Sequence, residues 1–217
     1  MFESKRYKKL AKAHLKHNRL ILAFTTFLSA LLWFVFLPTA ISAHYGRSAL
    51  LCVVFVAILG ITANALAALF LSCTASSKEQ RISFNNYLGA LEDWQRGALA
   101  GILTTIRISL WALLFVIPAF TAAYKYSFVY FLLSEHRTLS PSRAVRLSAI
   151  LTNGYKADLF LMHLSFLPLI AFSLVTFGIG FLWTVPYMAE AQAFAYLDIK
   201  NAALKRHILE AEDFGGK

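Results

Sequence analysis

Between Leu20 and Ile199 the chain is a succession of long apolar blocks, divided by short connections that carry most of its lysine and arginine. At least four blocks approach or exceed the roughly 20 residues that a helix needs to cross a hydrocarbon core. That feature sets the solvent. With 59% hydrophobic and 15% charged residues in 217 positions, a water-soluble domain of this length could hardly hide its apolar surface. A transmembrane β-barrel would need alternating apolar and polar residues, which the blocks lack. The sequence therefore predicts an all-α protein: a polytopic transmembrane helix bundle of about six spans with two cytoplasmic amphipathic surface helices.

The predicted spans cover Leu20 to Ala43, Ser48 to Ala75, Ala98 to Ile117, residues 119–135, Ala157 to Thr176 and Phe181 to Ile199. The link HYGR (44–47) makes the first two a tight hairpin. Lys125 stands near the middle of the fourth, for which a re-entrant segment is the alternative. One surface helix is marked by Phe84, Tyr87, Leu88, Leu91 and Trp94 at helical spacing. The other begins at Ser140 as N-cap and Pro141 as first helical residue and stops at Asn153-Gly154. Its face of Ala144, Leu147, Ser148 and Leu151 opposes Arg143 and Arg146.

Counting Lys and Arg sets the orientation. The first segment has seven (Lys5, Arg6, Lys8, Lys9, Lys12, Lys16 and Arg19), residues 76–97 three, residues 136–156 four and the tail four, against Arg47 and Lys125 on the other side. Cytoplasmic loops collect these residues, so both termini and both surface helices face the cytoplasm and the number of spans is even. The same rule accounts for the net charge of +10 without nucleic acid as a partner. The seven N-terminal cations instead meet anionic lipid of the bilayer, at about 1 kcal/mol per residue near the surface. Residues 1–19 thus read as a basic juxtamembrane helix, 20–199 as the bundle and 200–217 as a cytoplasmic tail. The first apolar run exceeds the roughly 7 to 15 residues of a signal-peptide core, which makes it a retained span. Cys52 and Cys73 lie in one apolar block, 21 positions apart, and imply no disulfide framework.

Several stretches of the second half form a recognisable set: LWALLFVIPAF (110–120), YKYS (124–127), the Leu-Ser-Pro of 139–141, NGYKADLFLMHLSF (153–166), FGIGFLWTVPY (177–187) and AFAY (193–196). Together they resemble a family of uncharacterised bacterial integral membrane proteins, the domain of unknown function numbered nine-seven-five. The resemblance covers about half the chain closely and the N-terminal half in layout. Where that family commonly has Pro-Gly after the third span, this chain has Pro118-Ala119. The resemblance implies a multi-pass protein of the bacterial cytoplasmic membrane, and brings no activity, cofactor or catalytic residue.

Glu190 is the residue hardest to reconcile with lipid. A charge near the bilayer centre costs about 2.5 to 3.5 kcal/mol on insertion scales, which marks a site by default. Pro186, one turn earlier, frees a backbone carbonyl. Arg107 and Lys125 are the natural counter-ions, and Asn64 and His163 add polar groups from the second and fifth spans. One reading is a buried ion pair, or a protonated carboxyl, that pins helices together. The other is a polar pocket for a substrate or proton, enclosed by half-helices hinged at Pro118, Gly178, Gly180 and Pro186. His14 and His17 stand one turn apart without carboxylate or cysteine neighbours and read as a solvated cationic face, so no metal is expected. The chain has no HExxH, GxSxG, Walker lysine loop or GxGxxG, and no cofactor is expected. The sequence favours a non-enzymatic membrane protein, transporter-like or accessory, that deals with lipids, small amphiphiles or a membrane-protein partner. An intramembrane enzyme acting on a lipid or isoprenoid would need an activated nucleophile or a metal. A scaffold or immunity-type protein would need a sealed bundle.

Overall fold

The structure, a computed structural model, describes residues 2–44, 49–75, 89, 91–114, 116–176, 178–210 and 213; for 14, 16–19, 32–44, 49–53, 72–75, 112–114 and 116–119 it describes the backbone alone. Over these residues it is all helical. The elements are α1 (Ser4–His44), α2 (Ala49–Ala75), α3 (Trp94–Leu114), α4 (Val116–Lys125), α5 (Val129–Glu135), α6 (Pro141–Leu151), α7 (Lys156–Leu164), α8 (Leu167–Val175) and α9 (Phe181–Lys205). The link after His44, residues 76–88 with Phe84, Tyr87 and Leu88 of the first predicted surface helix, and residues 211–212 and 214–217 of the tail lie outside the described residues, while Trp94, the last marker of that surface helix, is the first residue of α3. Buried hydroxyls of Thr25, Thr26, Ser29, Thr62 and Thr104 bond back to carbonyls one turn earlier in their own helices.

α1 runs without a break from the basic segment into the first apolar block. Tyr7, Ala11 and Leu15 recur every four residues, all buried, and give its first turns one apolar face. That half of α1 lies against α9 between Tyr187, whose hydroxyl donates to the Lys8 carbonyl at 3.2 Å, and Asp198, which pairs with Arg6 at 3.8 Å.

α2 and α3 approach closely because glycine faces glycine. A Cβ on Gly60 would stand 2.3 Å from the Gly97 carbonyl oxygen and 2.9 Å from Gly101 Cα, and one on Gly101 would stand 2.9 Å from the Val56 carbonyl oxygen. Residue 56 thus meets 101 and residue 64 meets 97, so the two helices are antiparallel. Small residues at such a crossing let backbones approach and gain dispersion contact along their length.

The fourth apolar stretch is not one helix. α4 ends at Lys125, a turn occupies 126–128, and α5 starts at Val129. α6 covers the break. The Ser148 hydroxyl donates to the Lys125 carbonyl at 2.9 Å and accepts the Phe128 N–H at 3.2 Å, and Thr152 donates to the same carbonyl at 3.2 Å. The ends of α6 and its two faces are those the sequence predicts: Pro141 at its start, Gly154 at φ +85° beyond its end, Arg143 and Arg146 exposed, and Ala144, Leu147, Ser148 and Leu151 buried. Its apolar face packs on α3 and α5.

The fifth stretch bends between α7 and α8, just ahead of Pro168, whose ring cannot donate to the helix ladder. Leu169 N–H bonds the Phe166 carbonyl, and Lys8 Nζ donates to the Ser165 carbonyl at 3.0 Å while lying 4.2 Å from the centre of the Phe166 ring. The corner into α9 is tight. Gly178 has a φ of +89°, and a Cβ on Gly180 would stand 2.7 Å from Ser173 Cα. There the Ser173 and Thr184 hydroxyls meet at 2.8 Å. Among the described residues, two helical segments are long and apolar enough to cross a membrane by length and composition: Val54–Leu71, and Lys156–Val175, which joins α7 and α8.

Candidate functional site

The helix break gathers polar contacts from several elements. Arg96 on α3 donates to the carbonyls of His136 and Leu139 at 2.8 and 2.6 Å, and Thr104, two turns along α3, lies beside the Tyr130 hydroxyl. These pairs run α3 antiparallel to α5, residue 96 level with 136 and 104 level with 130. Arg107 lies about one turn beyond Thr104 on α3, and Ser127 lies in the break itself. Arg107 Nη1 and Ser127 Oγ are both buried, with no hydrogen-bond partner among the described residues. Gln192 Nε2, from α9, donates to the Ser127 carbonyl at 3.3 Å. Side chains of α6 and α9 therefore serve the carbonyls that the break frees, while Arg107 and Ser127 each retain capacity for a further partner.

The residues singled out from sequence are not all gathered here. Glu190 is fully buried on α9. Lys125 ends α4 with its ammonium 5.6 Å from the Tyr126 ring centre. Asn64 is buried at the α2–α3 crossing, its Cβ beside Gly97, and its Oδ1 has no partner among the described residues. His163 bonds the Leu159 carbonyl of its own helix through Nδ1 at 2.8 Å and sits edge-on to Tyr124. Of the proposed hinges, Pro118 lies in the first turn of α4 and Pro186 is buried within α9. Among the N-terminal cations, Lys5, Lys9 and Lys12 are exposed, Arg6 and Lys8 are engaged as described, and the side chains of Lys16 and Arg19 lie outside the described residues. The described residues hold no group of three or more His, Cys, Asp or Glu suited to a metal ion.

A second cluster escapes the sequence reading. Glu135, at the end of α5, accepts the Tyr196 hydroxyl and the Lys200 ammonium on one oxygen, the latter at 2.7 Å. Lys200 Nζ also lies 2.9 Å from His136 Nε2. Tyr196 is fully buried and stacked on Phe131. Burial, and then the Lys200 ammonium, hold His136 below its ordinary value of 6.5, with Glu135 pulling the other way. The imidazole is thus neutral near pH 7 and accepts from lysine. The cluster joins the end of α5 to α9, and Arg96 secures the adjacent chain from α3. Tyr196 and Lys200 lie one turn apart on α9, which is the signal that could have paired them with an acidic group elsewhere.

The profile of a family described as protein of unknown function (DUF975) matches residues 49–203. The chain belongs to this family. The matched region begins at the first residue of α2 and ends near the end of α9, so it holds both the helix break and the Glu135 cluster, while α1 lies outside it. This agrees with the motifs that pointed to the family from the second half. No curated protein and no solved structure matches the chain.

Proposed function

We propose that this member of the DUF975 family is a multi-pass protein of a bacterial cytoplasmic membrane, with about six membrane segments and both termini in the cytoplasm. Its role in this reading is non-enzymatic: a transporter-like or accessory component that handles lipids, small amphiphiles or a membrane partner. Support for the membrane comes from where the apolar side chains point. Only 39% of Val54–Leu71 and 22% of Lys156–Val175 is buried within the protein, whereas the core helix of a soluble protein would be mostly buried.

One observation carries the transport-like reading, namely the break between α4 and α5, with the buried Ser127 hydroxyl inside it lacking a hydrogen-bond partner among the described residues. Backbone unwound inside a bilayer persists only where protein or water satisfies it. Membrane transporters use such discontinuities to bind solutes. Accessibility of residue 127 tests the idea. In a variant with Cys52 and Cys73 replaced by Ala, Ser127→Cys should react with a membrane-impermeant thiol reagent in intact membranes, and Arg107→Gln should change the rate. If Cys at 127 stays unlabelled while Arg143→Cys on exposed α6 reacts, the layer is sealed and the scaffold reading replaces this one.

A further inference from the structure

A cleft of about 270 Å³ opens where the start of α1 meets the end of α9 and the turn before α7. Two cations, Arg6 and Lys205, one carboxylate, Asp198, and three aromatic rings, Phe2, Tyr7 and Tyr155, give it its chemistry. Phe2 packs edge-on to Tyr7 at 5.1 Å and tilted to Tyr155 at 6.3 Å, so the rings form one wall. The side chains of Arg6 and Asp198 remain 61% and 43% exposed, and their 3.8 Å pairing is loose enough for either to take another partner. Burial and the Asp198 carboxylate push the Tyr7 hydroxyl up to about 12.

The two cations call for an anion, while the carboxylate beside an aromatic wall calls for a cation. Phosphate accepts charge-assisted bonds from guanidinium and ammonium. A primary ammonium donates to a carboxylate that still has free lone pairs and gains from nearby ring faces. From this juxtaposition we infer that the cleft binds a phosphoethanolamine group, its phosphate toward Arg6 and Lys205 and its ammonium toward Asp198 and the rings. The volume is below that of a typical site for a drug-sized ligand, but a headgroup is smaller still. A phospholipid headgroup and a free phosphoethanolamine share this chemistry. The cleft is separate from the helix break, so either inference can fail without the other.

The test uses the full-length protein in detergent, titrated by calorimetry with phosphoethanolamine, inorganic phosphate, ethanolamine and phosphocholine. Phosphoethanolamine should bind saturably, with the other three at least about tenfold weaker. Lys205→Ala, at an exposed position, should weaken binding about tenfold while the melting temperature stays unchanged. Asp198→Asn should erase the preference over inorganic phosphate. Native mass spectrometry from bilayers of equal phosphatidylethanolamine and phosphatidylglycerol identifies the source. Retention of phosphatidylethanolamine by the wild type and its loss in Lys205→Ala point to lipid; saturable binding of the soluble group without retention points to a free solute. The inference is overturned if inorganic phosphate binds as tightly as phosphoethanolamine, if Lys205→Ala binds unchanged, or if no probe binds.

Discussion

His136 is held neutral by its surroundings, and that makes acid the condition under which the Glu135 cluster weakens. Its Nε2 lies 2.9 Å from the Lys200 ammonium, an arrangement in which a neutral ring accepts and a protonated ring repels. Because its value in the folded protein is depressed below 6.5, the unfolded chain binds the additional proton first as pH falls. Stability from this group is therefore complete above 6.5 and is lost as pH drops through the depressed folded value. In detergent, the melting temperature of the wild type should fall on acidification below 6.5, and His136→Gln, whose carbonyl accepts from Lys200 at any pH, should show a smaller fall. Parallel pH profiles for the two proteins would remove His136 from the account. A group of this kind was hard to read from sequence. Glu135 and His136 close an apolar stretch and look like an ordinary helix exit until a lysine some 64 residues away is folded against them.

Helix pairing is decided by glycine at the α2–α3 crossing. Gly60→Ala would force a methyl to 2.3 Å from a backbone oxygen, which no rotamer relieves, so the helices must separate. Overpacking of this type costs about 1 to 3 kcal/mol, and Gly101→Ala should cost a similar amount. Gly89→Ala, with its nearest neighbour at 3.8 Å, should cost far less. Denaturation in mixed micelles is the measurement, and equal stability of all three variants would mean that the crossing does not hold the bundle. Half of this contact was open to inspection in the sequence: Gly97 and Gly101 have the four-residue spacing of a close-packed helix face. Gly60 was not, since its role depends on the antiparallel register of α2 against α3. The same division applies to α6. Its caps, its length and its two faces follow from local residue chemistry, and all were read correctly. What its apolar face rests on does not follow, because a hydrophobic pattern is identical whether the neighbour is lipid or protein. Lys125 likewise marked the fourth stretch as unusual, yet only the fold shows that Ser148 and Thr152 bond the carbonyl it leaves behind. The contact of Lys8 with Ser165 spans 157 positions, and no local pattern encodes it.

At the scale of the molecule, polarity is turned partly inside out. Glu190 is fully buried, while Leu167, Phe172 and Leu174 are 51%, 63% and 64% exposed along α8. In water this would be an aggregation-prone face; in a bilayer it is the face that contacts acyl chains. A single substitution separates the two solvents. Leu167→Asp falls near the middle of Lys156–Val175 and has no fully enclosed neighbourhood to disrupt. If the segment meets water, the change stays within about 0.5 kcal/mol and improves solubility. If it meets hydrocarbon, the carboxylate costs about 2.5 to 3.5 kcal/mol, and the amount of protein recovered in a carbonate-washed membrane fraction should drop severalfold. Ile208→Asp supplies the comparison: Ile208 is 57% exposed but lies beyond α9, where a charge faces the interface in either case. The membrane reading requires loss for Leu167→Asp and tolerance for Ile208→Asp. Equal tolerance of both, with the protein dispersed in buffer without surfactant, would mean that α8 faces water and that the exposed apolar surface needs another explanation.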